Sequence, residues 1–98
     1  MIPEVFKGTA LHNAAFTEGV LDTRTKELIA LAIAVSTECD GCIAAHAHGA
    51  VRHGASLEEA AEAIGVTILM NGGPATIYGP RVFAAFSEFY AERVASAG

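Results

Sequence analysis

No apolar run in this sequence is long enough to cross a membrane. The longest, Leu28 to Val35, falls far short of the roughly 18 residues that a spanning helix needs. The opening residues, MIPEVFKG, lack the basic end and extended apolar stretch of a secretory leader, and no lipidation motif occurs. A cytoplasmic protein is the expectation. Basic residues are scarce, with six Lys and Arg against eleven Asp and Glu for a net charge of −5. No basic patch exists to displace the counterions of a nucleic acid, which excludes that class of partner. Cysteine is nearly absent, with two in 98 residues. Two thiols make a poor structural staple in a reducing compartment, where a C-x-x-C pair is more often catalytic or metal-binding. Missing too are a convincing strand pair, an internal repeat and a low-complexity segment.

What the chain does have is apolar and helical. Hydrophobic residues make up 52% and the mean hydropathy is +0.40. A chain of this length is expected to form one domain, residues 1–98, with a small private core. It carries more apolar surface than such a core can hide, so self-association is expected. The periodicity predicts an all-α fold of about five to six helices. A first helix is expected over Pro3–Phe16. Asp22 or Thr23 then caps a second, with its body from Lys26 to about Ser36. Leu28, Ile29, Leu31, Ile33 and Val35 make that helix apolar on every side, the pattern of a helix surrounded by protein.

Asp40 is the expected cap of a third helix, which runs to about His53 and is closed by Gly54 in a left-handed turn. Ser56 and Glu59 form a capping box before a fourth helix, whose stripe is Leu57, Ala60, Ala61, Ile64 and Ile68. Asn71-Gly72-Gly73-Pro74 reads as a break. The last helix carries Val82, Phe83, Phe86, Phe89, Tyr90 and Val94 on one side, read as core or subunit interface. Gly79-Pro80 is expected to kink it or mark its true start.

The chemistry concentrates in ECDGCIAAHAH, Glu38 to His48, which holds both cysteines and two of the four histidines. On a helix Cys39, Cys42 and His46 fall within about 60° of one another, with His48 opposite. Cys42 and His46 are one turn apart, the spacing at which side chains meet. A thiol in a first turn gains thiolate character from unpaired N–H groups and the helix dipole, while Glu38 and Asp40 oppose that gain. A neighbouring imidazole can take the thiol proton. Two thiols three residues apart can close into a disulfide after one is oxidised. Glu27, at the head of the second helix, reads either as a first-turn acid that complements the dipole or as a buried carboxylate able to pass a proton.

Zinc is the rival reading. Cys39, Cys42 and His46 supply three compatible ligands and Glu27 a fourth. Against it, no second C-x-x-C exists, His12 would have to arrive by tertiary folding, and His53 lies about 16 Å from Cys42 along one helix. Ile43 after the second cysteine excludes a c-type haem. Inert, buried thiols are the third possibility. No cofactor is expected. His48 and His53 read as solvated surface residues.

The segment KELIALAIAVSTECDGCIAAHAHGAVRHGAS resembles the core of the alkylhydroperoxidase D-like group within the carboxymuconolactone decarboxylase superfamily. The shared pattern is a Glu, eleven intervening residues, then C-x-x-C-x-x-x-H, and Glu27, Cys39, Cys42 and His46 fit its four places. The likeness extends from about Lys26 to Phe89. It implies an all-helical fold assembling as a trimer or hexamer, and a thiol-dependent peroxidase acting on organic hydroperoxides. Carried over by position, Cys42 is peroxidatic, Cys39 resolving, His46 activates Cys42, and Glu27 orients or protonates His46. The implied reductant is a lipoyl-type or other dithiol. The superfamily's decarboxylases lack the cysteine pair. The best-known peroxidase member has a histidine just before the second cysteine where this chain has Gly41, which leaves a dithiol-disulfide oxidoreductase with little peroxidase activity as the alternative.

Overall fold

The computed structural model describes residues 10–97. Residues 10–16 are helical (α1), so the Pro3–Ala10 part of the first expected helix lies largely outside the described residues. Four helices follow: α2 Thr23–Thr37, α3 Asp40–Arg52, α4 Leu57–Asn71 and α5 Gly73–Ala97. The fold is all-α. Helix α2 packs against α3, α4 and α5, and α5 also closes over α3 and α4.

Local chemistry sets most of the boundaries. Asp22 caps α2 by accepting from the Thr25 N–H at 2.8 Å. Hydrogen bonds from Thr25, with Arg24 adding to them, hold the Asp22 carboxyl below its usual value. Gly54 takes a left-handed turn after α3, with φ +92°. At α4 the Ser56 hydroxyl accepts from the Glu59 N–H at 3.0 Å, and Glu59 Oε1 accepts from the Ser56 N–H at 2.9 Å. Ser56→Ala should therefore cost about 1 kcal/mol, read as a lowered urea midpoint at unchanged slope.

The core is built from one face of each of the helices α2 to α5. Leu31, Ala34 and Val35 of α2 meet Ile43, Ala47, Ala50 and Val51 of α3, with Ala60 and Ile64 of α4 and Val82 and Phe86 of α5. Burying each large side chain contributes about 1.5–3 kcal/mol. The alanines, several fully buried, let the backbones approach.

Three expectations need qualifying here. Within one protomer helix α2 is not enclosed on every side: Ile29 and Ile33 are 46% and 57% exposed. The neighbours within one protomer cover only the face bearing Glu27, Leu31, Ala34 and Val35. Ala61 is likewise exposed, so the α4 stripe is narrower than its apolar residues suggest. Finally, Pro80 does not begin the last helix, which runs unbroken from Gly73 to Ala97 with Pro80 inside it. The break before it is the single residue Gly72. Proline removes one backbone donor, but Gly79 beside it is buried against α4. A Cβ there would meet Ile64 Cγ2 at 3.0 Å and Ile68 Cδ1 at 3.3 Å. The close approach of α4 and α5 at this point holds the segment helical despite the lost bond.

Candidate active site

Helix α2 ends at Glu38, a non-glycine residue in the left-handed region with φ 56°. The N–H of Glu38 donates to Val35 O at 3.2 Å and that of Cys39 to Ala34 O at 3.1 Å, which reverses the chain in two residues. Cys39 emerges extended, as a helix cap must, and its sulfur accepts from the Cys42 N–H at 3.3 Å. The cap is thus Cys39 and not the expected Asp40. Asp40 is the first helical residue, and its Oδ1 accepts from Arg81 Nη1 at 3.3 Å instead. Arg81 in turn lies over the Tyr78 ring, 4.8 Å from its centre. The two cysteines are joined as a disulfide with their Cα atoms 5.2 Å apart. Cys42 is exposed and Cys39 half-buried.

The reversal at Glu38 folds α3 back along α2. Position 27 lies 38 − 27 = 11 residues before the pivot, and position 49 lies 49 − 38 = 11 after it. Glu27 and Gly49 accordingly face each other. Glu27 is buried, 6% exposed, and its Oε1 lies 2.7 Å from His46 Nδ1. A carboxylate can only accept, so Nδ1 carries the proton and Nε2 is left as the basic nitrogen of the ring. The pair sits in a low-dielectric setting where its electrostatics are strengthened.

Gly49 makes room for this carboxylate. A Cβ at position 49 would lie 2.6 Å from Glu27 Cδ and 2.9 Å from Oε1. The residue patterns did not single it out, although it falls three positions after His46, on the same helix face. A second group was also missed. Phe16 stacks on the His46 ring at 5.3 Å, and His12 stacks on Phe16 at 4.7 Å, with 6.2 Å between the two imidazoles. Folding does bring His12 close to the site. Thr23 Oγ1 donates to Phe16 O at 2.8 Å and Lys26 Nζ to Thr17 O at 2.6 Å, tying the end of α1 to the start of α2 and over His46. No spacing rule could have found these contacts, which depend on how α1 folds over the α2–α3 pair.

The remaining histidines lie apart from the cysteines. His48 is exposed with its ring edge-on to Phe89 at 5.1 Å. His53 is exposed and its Nδ1–H donates to Gly49 O at 2.9 Å. It shares with His12, Arg52 and Glu27 a cavity of about 330 Å³. Among the described residues, no three His, Cys, Asp or Glu side chains converge as a metal-holding group. The two sulfurs that a zinc site would use are bonded to each other.

The arrangement places a bonded cysteine pair at the start of the helix whose His46 contacts the buried Glu27 carboxylate. A family model for carboxymuconolactone decarboxylases matches residues 3–87. This chain belongs to the carboxymuconolactone decarboxylase family. Within that family it is 42% identical to an apo protein of Legionella pneumophila whose structure superimposes with a TM-score of 0.86, over 91% of this chain and 80% of that one. A Thermotoga maritima family member, described in connection with an antioxidative response, also gives a TM-score of 0.86 at 27% identity, over 97% and 81% of the two chains. In Paracoccus denitrificans, uncharacterized protein 4 in cox locus is 43% identical over 79 residues, 81% of this chain and 71% of that protein. The cysteine pair in this family member is compatible with a redox role of the alkylhydroperoxidase D-like kind.

Proposed function

We propose that this family member is a thiol-dependent peroxidase of antioxidant type, acting on organic hydroperoxides. The observation that carries the reading is the buried Glu27–His46 contact on the helix that bears an exposed Cys42 one turn earlier. His46 Nε2 takes the Cys42 proton, and the thiolate attacks the terminal peroxide oxygen. The O–O bond breaks, the proton passes to the departing alkoxide, and an alcohol leaves with Cys42 as sulfenic acid. The Cys39 thiol then attacks the Cys42 sulfur, giving the disulfide and water. Glu27 holds the ring and stabilises its charged form, acting through His46 and not on substrate. The overall change is two thiols and one hydroperoxide to one disulfide, one alcohol and one water. A dithiol of lipoyl type resets the pair.

The protein acts in this reading as a single 1–98 domain in the cytoplasm, assembled as a trimer or hexamer. No helix among the described residues is long and apolar enough to cross a membrane. Leu69 and Met70 of α4, 81% and 75% exposed, join Ile29 and Ile33 as apolar surface suited to a second copy. The antioxidative role suggested for the Thermotoga maritima relative supports this reading.

One observation favours a second reading. A Cβ at Gly41 would meet nothing within 4 Å, so the place of the family peroxidase's extra histidine is open here. Without that group the pair would serve dithiol–disulfide exchange with little peroxidase activity.

A single turnover separates the two. Reduced, metal-free protein with one equivalent of cumene hydroperoxide should lose the peroxide and gain a Cys39–Cys42 disulfide, read by denaturing intact mass. Cys39→Ser should stop at sulfenic acid on Cys42, captured by dimedone. Unreacted thiols at full peroxide would leave only the exchange reading. Glu27→Gln keeps an acceptor for Nδ1–H but removes the charge, and should slow the reaction about 100-fold or more.

A further inference from the structure

Phe16 lies outside the four-residue pattern, yet its ring is stacked on the face of His46. The ring centres are 5.3 Å apart with 18° between their planes, inside the roughly 6 Å over which a π face attracts a cation. The backbone beside that ring is anchored to the helix that carries Glu27. Thr23 Oγ1 of α2 donates to Phe16 O at 2.8 Å, and Lys26 Nζ donates to Thr17 O at 2.6 Å. The imidazole of α3 is therefore restrained twice with reference to α2. Glu27 holds its edge through Nδ1, and Phe16 holds its face. An edge contact alone lets the ring tilt about that hydrogen bond and swing Nε2. A stacked neighbour resists the tilt.

Phe16 also separates two environments. It borders the cavity of about 330 Å³, and every other described residue lining that space is polar, Asn13, Thr23, Arg52 and His53 among them. A cavity so lined holds water. Glu27 borders it and His46 does not. Phe16 touches both the cavity and the imidazole, so its half-buried ring stands between that water and His46. Keeping water from this side leaves the Nδ1–H bond to the carboxylate in a low dielectric, where it is stronger.

We infer that Phe16 is a positioning residue for His46, acting through its aromatic face. It fixes the imidazole against Glu27 and stabilises the charged ring that forms when Nε2 takes a proton. A cation–π contact partly shielded from water corresponds to roughly a tenfold preference for the charged ring. Phe16 touches no substrate and acts only through His46. Its effect on rate rests on the peroxidase reading, and its effect on the ring does not. The competing account is that Phe16 merely docks α1 on the α2–α3 pair, a task for which leucine has enough bulk.

Phe16→Leu and Phe16→Tyr separate the two accounts, since leucine loses the π face and tyrosine keeps it. The rate of disulfide formation with cumene hydroperoxide is measured for both and for wild type, beside urea melts that check folding. Phe16→Leu should react about tenfold more slowly, and Phe16→Tyr should stay within about twofold of wild type. The second readout needs no peroxide. In the disulfide form of protein with isotopically labelled histidine, exchange of the His46 Nδ1–H with water is followed by NMR. It should be slow in wild type and Phe16→Tyr and about tenfold faster in Phe16→Leu. A leucine variant that matches wild type in either readout overturns the inference, because bulk alone would then suffice. A tyrosine variant as impaired as the leucine one overturns it too, as does fast exchange in wild type. If wild type does not react with the hydroperoxide, the peroxidase reading falls and Nδ1–H exchange alone decides the role of Phe16.

Discussion

Gly49→Ala is expected to lower peroxide-driven disulfide formation about 100-fold while leaving both cysteines in place. The methyl group would enter the space that the Glu27 carboxylate occupies, at 2.6 Å from Cδ and 2.9 Å from Oε1. Contacts that close do not persist, and the carboxylate is the end of a flexible side chain, so Glu27 gives way. It then leaves His46, whose Nδ1 it now meets at 2.7 Å. A displacement of about 1 Å in a catalytic group commonly costs about 100-fold. The forced repacking should also cost about 1–3 kcal/mol of stability.

A double-mutant cycle distinguishes this from general damage. Glu27→Ala removes the group that the methyl strikes, so Gly49→Ala added to it should slow the reaction little further. Such strong non-additivity is the mark of residues in direct contact. The measurement is the second-order rate of disulfide formation with cumene hydroperoxide, beside urea melts of each variant. Additive effects on rate would mean that position 49 acts by some route other than the carboxylate.

The second large effect is on the fold. Phe86→Ala should destabilise the protein by about 3–5 kcal/mol. Phe86 is among the largest fully buried side chains, and it stacks against Tyr90 at 6.5 Å between ring centres. Helix α5 packs on α2, α3 and α4, so a cavity here loosens the element that all three share. A domain of this size has about 5–15 kcal/mol in total. The variant's urea midpoint should fall by a large fraction, and Phe86→Leu should recover part of the loss. A Phe86→Ala midpoint within error of wild type would mean that the core is not centred on α5.

How far the residues alone led depended on how local each decision was. The Ser56–Glu59 box and the Gly54 turn are settled within four residues, and spacing sufficed for both. The start of α3 was misjudged by one residue, because the choice between Cys39 and Asp40 depends on where the left-handed turn at Glu38 leaves the chain. Pro80 does not mark the start of the last helix, for a different reason. The burial of Gly79 against Ile64 and Ile68 is a tertiary gain that outweighs a local rule. Ile29 and Ile33 carried a message about apolar surface that the sequence could not assign to one protomer or two.

At the site, the four-residue pattern pointed to Glu27, Cys39, Cys42 and His46, and folding brings Glu27 to His46 and joins the two sulfurs. Gly49 was legible in principle, since a helical hairpin pivoting at Glu38 sets 27 against 49. Phe16 and His12 were not, because their place over His46 comes from the docking of α1.

A sulfur that caps a helix ties the bonding state of the cysteine pair to backbone order. While Cys39 is oxidised its position relative to Cys42 is covalently fixed, and the first turn of α3 cannot fray without straining that bond. Once the pair is reduced, the same turn is held at its tip by a hydrogen bond to sulfur alone. The amide of Cys42 therefore acts as a built-in reporter. Its hydrogen-exchange rate should rise on reduction and fall on oxidation, so the redox state of the pair can be followed through one backbone proton.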